Sequence, residues 1–168
     1  LAIAVAATDL DDDGGDALAD GGGLAFGVIH EPPDRSQYEY AAGQAWCSPT
    51  STSMVLGYHA TLHATPSLDA TVEEAAAGTW DSVYAGTGNW PFNTAFAATK
   101  GLRAEVGWFG SVAALEPWIL AGLPVIISAE WDDGELTAAH LSSTNGHLLV
   151  VRGFDADGNV AVNDPATP

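Results

Sequence analysis

The hydrophobic pattern changes once along this chain, at Gly122, and that change constrains the fold more than any other feature. Before it, apolar residues recur at helical spacing. Met54, Val55, Tyr58 and Leu62 follow a proline at position 49, where a first turn tolerates one, so residues 48–62 are predicted to form a helix that starts directly after Cys47. Asn89 to Lys100 is a second predicted helix, with Pro91 in its first turn and Gly101 as its stop. Ser111 is expected to cap a third that runs to Gly122, although Pro117 inside it would remove a hydrogen bond. After Gly122, Leu123–Ala129 and His147–Phe154 are apolar runs rich in β-branched residues, and Asn159–Asn163 follows the hairpin signal Asp157-Gly158. Helices first and antiparallel strands second argue for an α+β fold with segregated halves.

A chain of 168 residues supports one domain, which buries roughly 70% of its unfolded surface. Residues 1–27 are expected to be an acidic, Gly/Asp-rich linker or N-terminal segment, and residues 28–168 the folded domain. Twenty-two acids against four bases give a formal net charge of −18. Such a surface repels phosphate backbones and anionic lipid, which argues against nucleic-acid partners. No apolar run is long enough to span a bilayer, so membrane insertion is not expected. The opening Leu1–Ala6 is too short and lacks the basic flank of a signal peptide. The acidic segment holds one sharper pattern, Asp9-x-Asp11-x-Asp13-Gly14 with Asp20 at the twelfth position, the oxygen-ligand spacing of a calcium loop. Asp16 stands where such loops place an apolar residue, and no amphipathic helix flanks the run. A solvated linker is therefore the favoured reading, with structural calcium as its alternative and no other cofactor expected.

Cys47 is the sole cysteine, so neither an intramolecular disulfide nor a multi-thiolate zinc site can form. Its place at the start of a predicted helix has a chemical consequence. Unpaired N–H groups and the helix dipole favour an anion there, which lowers a thiol pKa. A thiolate that attacks an amide also needs a proton carrier. His59 and His63 stand four apart on the same helix, a spacing that suits a metal, but no third ligand accompanies them, so packed or solvated histidines are favoured. His147 opens an apolar strand directly after Asn145-Gly146, at a strand mouth where polar function is displayed. Its orienting partner is Asn163 or Asp164. A two-residue turn at Asp157-Gly158 pairs Ala156 with Asn159 and puts Asp164 on the face of His147, whereas a three-residue turn would select Asn163. The first arrangement is favoured.

These residues lie in blocks that resemble a known family. Trp46-Cys47-Ser48-Pro49-Thr50-Ser51-Thr52-Ser53-Met54-Val55-Leu56 resembles the nucleophile segment of the bacteriocin-processing (double-glycine leader) peptidases and their exported relatives. Arg35-Ser36-Gln37 is similar to the family's upstream oxyanion-hole element. Gly86 to Thr94 resembles a segment of the actinobacterial exported branch, and Asn145–Leu148 and Val162–Pro165 complete an ordered series from about residue 28 to the end. The resemblance implies a papain-like cysteine peptidase acting on a peptide or protein, outside the cell. It assigns Gln37 to the oxyanion hole, Cys47 as nucleophile, His147 as general base and Asp164 as orienter. Gln44, three residues before Cys47, has too short a link to fold its amide back beside the sulfur. Similar proteins continue past the Asp-Pro with further strands, so the domain is expected to be cut short at its C-terminus. The same triad also serves acyltransferases and isopeptidases acting on non-protein amides, and a papain-like scaffold can persist as a silent binding module.

Overall fold

The computed structural model of the chain describes residues 2–8, 23–136 and 139–168. Its central helix, α1 (Cys47–Leu62), begins at the cysteine itself, and nearly every side chain along it is buried. A helix so enclosed needs its polar residues satisfied internally. Thr52 Oγ1 donates to the Ser48 carbonyl at 2.9 Å and Ser53 Oγ to the Thr50 carbonyl at 2.7 Å. Gly57 is there for space: a Cβ on it would lie 2.8 Å from both the Arg35 guanidinium and Pro33, so its absence lets the preceding loop press onto α1.

The helix α2 (Val72–Gly78) was not expected, although its start carries a legible signal. Thr71 Oγ1 accepts from the Glu74 N–H while the Glu74 carboxylate accepts from the Thr71 N–H, a reciprocal capping box. Helix α3 (Trp90–Thr99) matches the second predicted helix, with Pro91 in its first turn. The third is broken. Val112–Leu115 is a 3-10 turn, and α4 is confined to Glu116–Leu120. Pro117 falls in the first turn of α4, where its missing N–H has no intrahelical partner to lose, and Ser111 makes no side-chain cap.

Among the described residues, five strands form one sheet: β1 (Ala2–Thr8), β2 (Arg103–Phe109), β3 (Val125–Trp131), β4 (Thr144–Phe154) and β5 (Val160–Asn163), in spatial order β2-β1-β3-β4-β5. The C-terminal three strands are antiparallel, as expected, while β1 runs parallel to both of its neighbours. Residues 2–8, within the stretch read as an acidic linker or N-terminal segment, form β1. Gly23 to Ile29 also packs onto the domain: Ala25 is fully buried, and Phe26 and Ile29 bridge Phe154 and Gly153. The candidate calcium ligands Asp9, Asp11, Asp13 and Asp20 lie outside the described residues.

The hairpin that orders β4 and β5 departs from the expected turn. Phe154 pairs with Val160, so five residues connect the strands and not two. Asp155 organises them, its carboxylate accepting from the N–H groups of Asp157 and Asn159 and from the Asn159 side-chain amide. This longer loop moves the register by one from the expected pairing, a bulge between Val151 and Gly153 moves it one further in the same direction, and Val150 pairs with Asn163. The parity expected from the two-residue turn is recovered at the end of β5 because the two one-residue offsets add to two, the period of a strand.

Two buried clusters sandwich the sheet. Leu148 and Val150 of β4 and Ile126 of β3 pack with Met54, Val55 and Leu56 of α1. Leu149, Val151 and Phe154 pack with Val125, Leu115 and Ile119. β4 is buried on both faces, which explains its unbroken apolar run. The architecture is α+β and consistent with the papain-like fold that the resemblance implies.

Candidate active site

The site forms where the first residue of α1 meets the start of β4. Ser51 Oγ, one turn into the helix, donates to the Leu148 carbonyl at 3.1 Å and locks helix to strand beside His147. Against this joint, the Cys47 thiol is within hydrogen-bonding range of the His147 ring, the Leu148 N–H and the Ser48 N–H. Burial pushes the thiol pKa up, but these three donors and the imidazolium charge outweigh it, and the net direction is down.

His147 is almost fully buried, and its Nε2 lies 2.6 Å from Asp164 Oδ1. Nδ1 is thereby left for the sulfur. Burial works against the imidazolium, but the hydrogen bonds and charges of Asp164 and Cys47 prevail and raise its pKa to about 9. Asp164 is held as an anion in turn. Burial opposes its charge, and His147 and the Ala166 N–H at 2.8 Å, with a lesser electrostatic contribution from His140, overcome it, so its pKa is lowered. Asn163 points elsewhere, donating through Nδ2 to the Pro32 carbonyl at 3.1 Å. The Trp131 ring stands edge-on to His147, 5.9 Å between centroids, with its Nε1 donating to the Leu141 carbonyl.

Gln37 reaches this region by a route the sequence does not display. The segment ahead of it runs along β4, where the His30 N–H donates to the Arg152 carbonyl at 2.8 Å. The Gln37 N–H then donates to the Pro165 carbonyl at 2.9 Å, one residue beyond Asp164. From there the chain folds back tightly. Tyr40 N–H bonds the Gln37 carbonyl, Gly43 N–H bonds Tyr40, and Trp46 N–H bonds Gly43. A Cβ on Gly43 would sit 1.7 Å from the Gln37 carbonyl oxygen, so only glycine permits this return to Cys47. Arg35 pins the loop from the other side, bonding the Ser53 and Ala70 carbonyls and pairing with Asp69 at 2.8 Å. Gln44 lies in the 3-10 turn Gly43–Ala45 that leads into Cys47.

Two contributors had no place in the sequence argument. Asn93 of α3 is buried, and its Nδ2 donates to Ser48 Oγ at 2.7 Å and to Thr52 Oγ1 at 3.1 Å, bracing the first turn of α1. Thr87 Oγ1 donates to the Ala45 carbonyl at 3.2 Å. Both stand in the block Gly86–Thr94 that the family resemblance singled out, but without a neighbour in space neither could be given a task. His59 and His63 stack at 5.8 Å, and among the described residues no group of His, Cys, Asp and Glu could hold a metal ion. Among the same residues no helix is long and apolar enough to cross a membrane.

An arrangement of this kind can present a thiolate beside an imidazolium whose far nitrogen is held by a carboxylate. No curated protein and no solved structure matches the chain. A family model, the Peptidase_C39 like family, matches residues 30–168, from the segment that carries Gln37 to the last residue after Asp164. With the match covering most of its length, the chain belongs to the Peptidase_C39-like family.

Proposed function

We propose that this protein hydrolyses peptide bonds through a Cys47–His147–Asp164 triad and a thioester intermediate. The observation that carries the reading is the 2.6 Å contact between His147 Nε2 and Asp164 Oδ1, with the Cys47 thiol against the same imidazole at the start of α1. The Cys47 thiolate attacks the scissile carbonyl carbon, and the carbonyl π electrons move onto oxygen. The Cys47 N–H and the Gln37 side-chain amide bind that oxyanion. His147 gives its proton to the amine nitrogen as the C–N bond breaks, leaving an acyl thioester. The neutral imidazole next takes a proton from water, whose oxygen attacks the thioester, and the carboxylic acid leaves as the thiolate–imidazolium pair re-forms. The family resemblance extends the proposal to an exported enzyme acting outside the cell.

The test is a pair of measurements on wild type and Cys47→Ser. Wild type should cleave a fluorogenic peptide mixture, and iodoacetamide should label Cys47 rapidly well below the pH at which a free thiol reacts. Cys47→Ser should fold normally and cleave nothing. Cleavage by that variant sinks the cysteine mechanism. Rapid labelling without cleavage, but with acyl transfer to an added amine from a non-protein amide, moves the reaction from hydrolysis to transfer.

A further inference from the structure

Between α2 and α3 the chain makes a tight surface loop, and Asp81 holds it shut. Its N–H and carbonyl exchange hydrogen bonds with Gly86 at 2.9 and 3.2 Å. Its carboxylate accepts from the Val83 and Tyr84 N–H groups and, at 2.8 Å, from Asn89 Nδ2. A loop so well braced by polar contacts should turn polar side chains to water. Instead Val83 is 94% exposed and Tyr84 67%, with Trp80 half exposed beside them. Nothing in the packing of the domain calls for these apolar groups at the surface, and an ordered apolar patch of this kind marks a binding site.

Two further observations say what it binds. Tyr84, Gly88 and Asn89 line a cavity of about 260 Å³, space for one large side chain. The Asn89 side-chain amide is turned away into the loop, where its Nδ2 donates to the Asp81 carboxylate at 2.8 Å. The Tyr84 ring, which rests against Gly86, forms one wall, and at Gly88 an added Cβ would meet nothing within 4 Å, so the space there is open. The location is equally specific. Thr87, between the cavity residues, is tied to the Ala45 carbonyl two residues before Cys47, and α3, which follows directly, is bonded through Asn93 to Ser48.

We propose that the Asp81–Asn89 loop is a specificity subsite that receives one large apolar or aromatic side chain of the peptide substrate, packed against Tyr84. The proposal rests on the peptidase reading, and it makes the enzyme selective for a residue near the scissile bond.

The experiment uses two sets of peptide amides, identical except for Phe or Ala at each position scanned around the cleavage site. Wild type should favour Phe at one position by about tenfold in kcat/KM, the scale on which an apolar pocket discriminates. Tyr84→Ala should reduce that ratio to near unity. Leu62→Ala, which removes a comparably exposed apolar residue from the far end of α1, should leave it intact. The same peptides are titrated against Cys47→Ala, so that the subsite is tested whether or not cleavage occurs. A Phe preference in Kd that Tyr84→Ala abolishes supports the subsite even if the hydrolytic reading fails. Equal ratios in wild type and Tyr84→Ala, by cleavage and by binding, overturn the proposal and leave the triad untouched.

Discussion

The Gln37 N–H donates to the Pro165 carbonyl across 2.9 Å, so the residue proposed for the oxyanion hole is fastened to the residue after the proposed orienter of the histidine. One backbone hydrogen bond thus couples the entry loop to the segment that follows β5. The coupling has a physical logic. The oxyanion amide and the imidazole must hold their positions relative to one carbonyl carbon, and displacements on the order of 1 Å are costly to catalysis.

Asp164 and Asn163 are adjacent and should behave differently. Asp164→Asn keeps an oxygen that can accept from His147 Nε2–H, so the ring stays oriented and loses only the stabilisation of its charge. Turnover should fall, but far less than the roughly 10,000-fold associated with a wrong tautomer. Asn163→Ala removes a buried donor to Pro32 and should cost about 1–2 kcal/mol in urea denaturation with a milder effect on turnover. A larger loss of turnover in Asn163→Ala would require the two roles to be exchanged.

The pH dependence follows from the directions of the shifts. Because Cys47 is lowered, alkylation should reach its half-maximum at a lower pH than for an ordinary free thiol. Because His147 is raised to about 9, kcat/KM should keep its plateau until the alkaline limb begins there. The linkage to stability has the matching sign. A raised histidine contributes stability that is fully present below its unfolded value of about 6.5 and is lost as pH rises through about 9, so Tm should decline across that window. Asp164→Asn should move the alkaline limb to lower pH. An unmoved limb would detach Asp164 from the charge of His147.

Gly43→Ala tests the folded-back loop. Its methyl group would overlap the Gln37 carbonyl, so the strain must be relieved by moving the loop. Turnover should drop toward the roughly 100- to 1,000-fold loss expected of Gln37→Ala, while Cys47 alkylates at its usual rate in both. If alkylation falls in step with turnover, the loop supports the thiolate and not the oxyanion.

Asn93→Ala should act through stability. It leaves the Ser48 and Thr52 hydroxyls without their shared buried donor and opens a small cavity, at a cost of about 1–3 kcal/mol by denaturant titration. Restoration by Asn93→Gln would indicate that the pocket can adjust; further loss would show that the amide position is fixed by α1.

The sequence by itself determined those parts of this protein that depend on local order. The helix starting at Cys47, the proline-led helix at Trp90 and the apolar strand from His147 each follow from periodicity or from a residue whose backbone preference acts within one or two turns. The broken segment around Pro117 was legible as a conflict, because a proline's missing N–H is a local fact. What depends on distant partners was decided by the tertiary structure. β2 is an edge strand of mixed exposure and carries no clean alternation, so its pairing with β1 leaves little trace in its own residues. The face on which Asp164 lies was expected for a reason that does not hold, since the five-residue connection after Phe154 reverses the parity and the bulge around Arg152 restores it. Gln37 stands beside Pro165 because a segment running along β4 carries it there, and Gly43 allows the return to Cys47 by lacking one carbon. Local preferences set which elements can exist; close packing and the pairing of buried polar groups, summed over residues far apart in the chain, set where Cys47, His147 and Asp164 meet.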